Sequence, residues 1–222
     1  MAKVDLQRRA EIGREKSART RAQLISAAHS LFARQAIESI TVDDVVKEAG
    51  VAKGTFYVHF EDLGALTAAA ASELVGTFDE LLQPGRLSID DPVLRLAFGC
   101  NAFIEKALED PSWAIVLARM ARSVASVGDV TRRRMLEDLR RASKEIPQSP
   151  VSISPQLSQE IVLGIMFQML SAFGEGRLSS EDREGTIGAI LRAVGVSGQR
   201  VKSTLTQLAR MEGWTTAGRK LG

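Results

Sequence analysis

The sequence predicts an all-α fold. Apolar residues recur at three- and four-residue spacing, proline and glycine divide the chain into helix-length segments, and no segment reads as a convincing strand or an internal repeat. The 222 residues, 45% apolar and 25% charged, allow a sizeable core in one long domain or two small ones. No run approaches the ~18 apolar residues of a membrane-spanning helix. The N-terminal stretch MAKVDLQRRAEIGREKSARTR lacks the apolar region of a secretory signal. Cys100 stands alone, which excludes an intramolecular disulfide and fits a reducing cytoplasm, the expected location.

Residues 1–18 hold five basic and three acidic residues and few large apolar ones. They read either as a frayed tail or as a basic arm that follows a nucleic-acid backbone or reaches a minor groove. From Thr20 the pattern is helical: Leu24, Ala28, Leu31 and Phe32 make one apolar stripe, and the helix is expected to end near Ala36. Thr41 caps a second helix, Asp44 completes its capping box, Val42, Val45, Val46 and Ala49 supply its buried face, and Gly50 stops it. Val51 is a core contact in the turn. A short third helix covers about Ala52 to His59, with Phe56 and Phe60 on its inner side. Asp62 caps a fourth helix expected to run through Leu82, where QPGRL breaks it. Further helical segments follow at about Asp91–Glu109, Pro111–Val127, Asp129–Glu145, Pro155–Gly174, Ser180–Val194 and Ser197–Glu212. Pro92 and Pro111 each stand behind an aspartate that can cap. Residues 146–155 read as a loop, and Gly213–Trp214 open a loose tail.

The third helix is too polar and too small-faced to be core. A helical trio that exposes Lys53, Gly54, Thr55, Tyr57 and His59 on one short helix suits insertion into a DNA major groove. Charge agrees weakly: residues 1–60 carry ten Lys/Arg against seven Asp/Glu, and residues 61–222 nineteen against twenty.

Thr20–Leu66 resembles the N-terminal domain of the TetR family of bacterial transcriptional regulators. The matching strings are the Leu31-Phe32 pair, TVDDVVKEAGV at Thr41–Val51, and KGTFYVHF at Lys53–Phe60. The resemblance implies a basic arm at 1–18, a three-helix helix-turn-helix DNA-binding domain at 19–66, and a helical ligand-binding and dimerisation domain at 67–222. It implies double-stranded DNA as partner, with contacts from Arg19, Thr41, Val42, Lys53, Gly54, Thr55, Tyr57, Val58 and His59. The physical roles are distinct. Thr41 offers its hydroxyl and the free amides behind it to a phosphate. Gly54 lets the backbone approach, Thr55 and Val58 are sized for base edges and thymine methyls, and Tyr57 and His59 donate to phosphates. One departure concerns the start of the fourth helix, where similar proteins carry Ser-Lys-Glu and this chain has Asp62-Leu63-Gly64. The cap is kept and the cation is missing, so backbone affinity falls to Arg19, Arg21 or the arm.

Pairing into a homodimer is expected through Gln159–Phe173 and Thr186–Val194, both more apolar than a solvent-facing helix, with Gly164, Ser171, Ala172, Gly188 and Ala189 allowing close approach. Two recognition helices then reach half-sites ~34–36 Å apart. Phe98, Asn101, Phe103, Trp113, Leu117 and Met120 read either as core or as the wall of a cavity for a small apolar inducer. Met166, Phe167 and Gln168 join them, and Met135 and Met169 add adaptable side chains. Asn101 and Gln168 are amides in apolar stretches that need a partner. The arginines at 132–134, 140 and 141 are expected on a solvated face, so no strongly charged ligand is expected.

An enzyme is the contrasting class. The two histidines, His29 and His59, and the single cysteine form no metal-ligand spacing, and no phosphate-binding loop or nucleophile motif appears. No catalysis, cofactor, metal or membrane association is expected. The expected function is a ligand-released repressor acting as a homodimer on a palindromic operator, with a ligand-independent regulator or an activator of the same fold as the alternative.

Overall fold

Helix boundaries fall where side chains close the free ends of the backbone. The computed structural model describes residues 2–123, 129–145 and 153–211. Within them lie α1 (Ala2–Arg34), α2 (Val42–Ala49), α3 (Lys53–His59), α4 (Leu63–Leu87), α5 (Pro92–Glu109), α6 (Pro111–Ser123), α7 (Asp129–Glu145), α8 (Pro155–Gly174), α9 (Arg183–Ala193) and α10 (Gly198–Arg210), and no strand among the described residues. Thr41 and Asp44 form the expected capping box, and Gly50 ends α2 at φ 67°, a left-handed conformation that suits glycine. Asp62 accepts from the Ala65 amide at 2.7 Å. Asp91 accepts from the amides of Val93 and Leu94 behind Pro92, and Asp110 takes the Trp113 amide at 3.1 Å.

Four expectations need correction. The first helix begins at Ala2 rather than at Thr20. Residues 2–19 contain no proline and mostly straight-chain residues and alanine, so propensity carries the helix outward, with residues 11–19 all exposed. The Thr20 hydroxyl donates back to the Lys16 carbonyl at 3.0 Å. The first helix then closes at Arg34, and a single 3₁₀ turn, Ile37–Ser39, leads to buried Ile40.

Secondly, α4 does not break at QPGRL but runs through Pro84 to Leu87. Leu82 and Gly85 are buried, and a Cβ at Gly85 would stand 2.7 Å from the Phe98 ring. That packing, with the ion pairs of Arg86 described below, outweighs the lost amide of Pro84. Thirdly, the segment from Ser180 opens as a 3₁₀ turn, Ser180–Asp182, capped by Ser179, before α9 starts at Arg183. Fourthly, α8 is long and apolar enough by composition to cross a membrane, against the expectation that no run would be. It packs against α5, α6, α7 and α9. The end of the segment after Ser123, most of the 146–155 loop and the tail at Gly213–Trp214 lie outside the described residues.

One apolar cluster runs from Leu24 on α1 to Leu208 on α10. The trio α1–α3 forms a head around Phe32, Val45 and Phe56, and α4 starts in that head and continues into the body of α5–α10. The boundary expected at residue 66 therefore lies inside the first turn of α4. Among the described residues, polar contacts of His29 and Arg119 tie head to body. His29 Nε2 lies 3.0 Å from the Ala70 carbonyl on α4. Arg119 on α6 donates to the carbonyls of Phe32 (2.7 Å), Ala33 (3.2 Å) and Gln35 (3.3 Å), closing the C-terminal end of α1 where free carbonyls gather.

Candidate nucleic-acid interface

The seven residues of α3 divide sharply between two faces. Phe56 is fully buried, and Phe60 follows it at 5% exposure with ring centroids 5.9 Å apart. The Arg21 guanidinium covers the outer side of the Phe60 ring at 5.2 Å. On the other face Tyr57 is 55% exposed and Val58 77% exposed. Lys53 and Gly54 are exposed beside them, and Thr55 and His59 are half-buried at the edges. Tyr57 stands edge-on to Phe56 at 5.3 Å, so its ring is aimed by the core while its hydroxyl end faces solvent. Gly54 has neither a positive φ nor any atom within 4 Å of a built Cβ, so nothing inside the protein requires glycine there.

The remaining expected contacts are placed less simply. Thr41 is exposed, and its hydroxyl donates to Asp44 Oδ2 at 2.6 Å, so a phosphate would meet it only in competition with the capping box. Val42 is half-buried against the core. Arg19 is exposed on α1. Lys53 Nζ pairs with Asp43 on α2 at 2.9 Å, and both are open to solvent. Asp43 holds the Lys53 ammonium above its ordinary range. Sequence reading missed this pair, although Asp43 and Lys53 flank the turn at Gly50 and oppose each other in charge. A second link, Glu48 with Ser30 (2.8 Å) and Arg34 (2.9 Å), fixes α2 against α1.

The body holds a cavity of about 70 Å³ between α4, α5, α6, α7 and α8. Phe103, Leu117, Met135, Met166 and Phe167 line it. The other candidates do not. Phe98 packs on Gly85. Trp113 stacks behind the lining against Phe78 (5.3 Å) and Phe103 (5.7 Å). Met120 and Asn101 are buried away from the lining, and Gln168 is exposed on the outer side of α8. Helix α5 is apolar nearly all round, so its sequence does not tell which side faces the cavity. The structure turns Leu96, Gly99, Cys100 and Phe103 inward. Burial pushes the Cys100 thiol up to about 12, which leaves it protonated and unreactive at neutral pH.

The expected solvated arginine face is also corrected. Arg140 and Arg141 are exposed, with Arg141 on Glu137 at 2.6 Å, whereas Arg132 lines the cavity and Arg134 pairs with buried Asp79. With Arg86, Arg95 and Asp138 these form a charged wall that sequence reading missed. Its signal was available: Asp79 and Arg86 continue the stripe of Val75 and Leu82 along α4, and Asp138 lies among Met135, Leu139 and Ala142.

Head and body together define an all-helical helix-turn-helix protein with an internal cavity. Residues 24–70 match the family described as "Bacterial regulatory proteins, tetR family". The HTH-type transcriptional regulator TtgR of Pseudomonas putida is 35% identical over 68 residues, 31% of this chain and 32% of that protein. YvdT of Bacillus subtilis, an HTH-type transcriptional regulator, is 34% identical over 70 residues, 31% of this chain and 35% of that one. The chain thus matches about a third of the length of these relatives. Among solved structures, RolR in complex with resorcinol superposes with a TM-score of 0.64 at 20% identity, over 86% of this chain and 95% of that chain. FadR of Bacillus subtilis in complex with stearoyl-CoA does so with a TM-score of 0.60 at 16% identity, over 78% and 97%. These show the shared fold across head and body. The head of the chain is thus similar to the TetR family of bacterial regulatory proteins, and the relatives matched over it are transcriptional regulators.

Proposed function

We propose that the chain is a site-specific DNA-binding transcriptional regulator, a homodimeric repressor released from a palindromic operator by a small molecule. The observation that carries this reading is the outer face of α3: Tyr57 and Val58 stand out from a fully buried Phe56, beside a glycine with no internal reason to be one. A backbone of phosphates and base edges supplies that reason. Arg19, Lys53, Thr55 and His59 complete the contact set, with Thr41 and Val42 at its edge.

The homodimer would form through α8 and α9. Leu157 is 50% exposed, and Gly164, Gln168 and Ala189 are exposed, while Ser171, Ala172 and Gly188 turn into the monomer core. Outward apolar and small residues on two adjacent helices suit a two-fold interface. The cavity against α4 is the inducer site, supported by solved neighbours of this fold that carry resorcinol or stearoyl-CoA. Ligand binding that prefers a different α4 position would change the spacing of the two heads and release DNA.

Fluorescence anisotropy with duplexes tiled across the flanks of the protein's own gene tests this at ~0.15 M salt. Tight binding to one palindromic duplex, lost in Tyr57→Ala, is expected. Equal weak binding to every duplex by both proteins would sink the reading.

A further inference from the structure

The charged wall of the cavity does not balance. Asp79 on α4 and Asp138 on α7 are nearly wholly buried, at 2% and 4% exposure. Arg134, which does not line the cavity, binds one oxygen of Asp79, and Arg86 Nη1 lies 3.4 Å from the other. Asp138 is shared by two guanidinium groups, with Arg86 Nη2 at 2.5 Å and Arg95 Nη1 at 3.0 Å. Two carboxylates therefore serve three arginines, and Arg132, also in the lining, is matched by Glu160, which leaves one positive charge in surplus among the described residues of the cluster.

That surplus faces the cavity, because Arg86 and Arg95 line it. Their described contacts use two N–H groups of Arg86 and three of Arg95, Ile89 carbonyl included. A guanidinium offers five N–H donors in a fork that matches a carboxylate. The remaining lining is mostly apolar, including Leu96, Leu117, Met166 and Leu170. A buried cation without its counter-charge is unfavourable, and an anion with an apolar body would relieve it. An amine would add to the surplus, and a neutral group would leave it in place.

We infer that the cavity takes a small organic anion, a carboxylate on a short apolar chain or ring, with the carboxylate on Arg86 and Arg95. The assignment rests on reading this cavity as the inducer site. At about 70 Å³ the cavity is under half the ~150 Å³ that holds a benzene ring, so an anion of the size of hexanoate or benzoate enters only as α4 and α7 part. The incoming carboxylate competes with Asp138 for the same two arginines, so binding loosens the link between α4 and α7.

The test is isothermal titration of the full chain with hexanoate, benzoate, hexan-1-ol, benzamide and hexylamine. At least one anion is expected to bind saturably, ~10-fold or more tighter than its neutral counterpart, and the amine least of all. Arg86→Met or Arg95→Met should bring the anion-to-neutral ratio towards one, and Asp138→Asn should raise anion affinity. A purely structural role would lower melting temperature without moving that ratio. If the variants do not fold, the wild-type panel decides alone. Equal binding of anion and neutral probe, preference for the amine, or no saturation by either anion below ~10 mM overturns the inference. Operator binding is read on the same preparation. Duplex binding without anion binding overturns the anion site only, whereas anion binding without duplex binding overturns the regulator reading only.

Discussion

Gly50 and Gly54 lie four residues apart and answer to different constraints. Gly50 holds φ 67°, so Gly50→Ala should cost ~1–2 kcal/mol of stability from backbone strain alone, since no atom lies within 4 Å of its built Cβ. Gly54 is helical and equally uncrowded, so Gly54→Ala should stabilise the head by ~0.5–1 kcal/mol in thermal unfolding. The same methyl should weaken operator binding, because it stands where a DNA backbone would approach. A variant that gains stability and keeps full affinity would remove Gly54 from the interface. The Asp43–Lys53 pair makes a third point. Asp43→Asn frees the ammonium and removes a negative charge from the binding face, so operator affinity should rise several-fold and log-affinity should fall more steeply with log-salt, by about one counterion. An unchanged salt slope would mean that Lys53 does not reach a phosphate.

At the scale of the element, α2 depends on its ends. Thr41→Ala should cost ~1 kcal/mol by opening the capping box. The Thr41 hydroxyl and then its amide hold the Asp44 carboxyl below its ordinary 3.8. The Ser30 hydroxyl and then Arg34 hold Glu48 below 4.5. Depressed folded values mean that this stabilisation is present above about pH 4.5 and is lost as pH falls through the lowered values. Acid unfolding followed by circular dichroism should therefore steepen below about pH 4, and less so in Thr41→Ala. These ends were legible in the sequence because a cap is a local contract between residues three apart. The ends of α1 and α4 were not. The first extends to Ala2 on propensity with no terminator to read, and the second passes Pro84 because Phe98, on another helix, packs over Gly85. In the cavity, the apolar residues were readable as a set. Which of them face inward depends on how α5 is rotated, and although Arg86 lies seven residues from Asp79, the Arg134 partner of Asp79 and the Arg86 partner of Asp138 are 55 and 52 residues away in sequence, beyond any local pattern.

Across the whole molecule, buried charge and one long helix join what the chain keeps apart. Asp138→Ala strips Arg86 and Arg95 of a shared counter-charge and should cost ~3–5 kcal/mol in denaturant unfolding. A loss below ~1 kcal/mol would show that water already screens the cluster. Arg119→Ala removes the donor that closes α1 from α6; the loss should be ~1–3 kcal/mol, and hydrogen exchange should rise selectively in the last turn of α1. The 25 residues of α4 span both ends of this arrangement, with Leu63 beside α3 and Arg86 in the charged wall. At ~1.5 Å per residue the distance from Arg86 to Leu63 is ~35 Å. Such a rod is a lever: a swing of ~5° pivoting at one end sweeps the other by ~3 Å, about one hydrogen-bond length. The hydrogen bond of His29 to the Ala70 carbonyl lies about a third of the way along, so that carbonyl acts as a bearing. With seven residues of α4 between Leu63 and Ala70 and sixteen between Ala70 and Arg86, a displacement of Arg86 is geared down at Leu63 to less than half its size and reversed in direction, so the charged wall must shift widely to move the head at all.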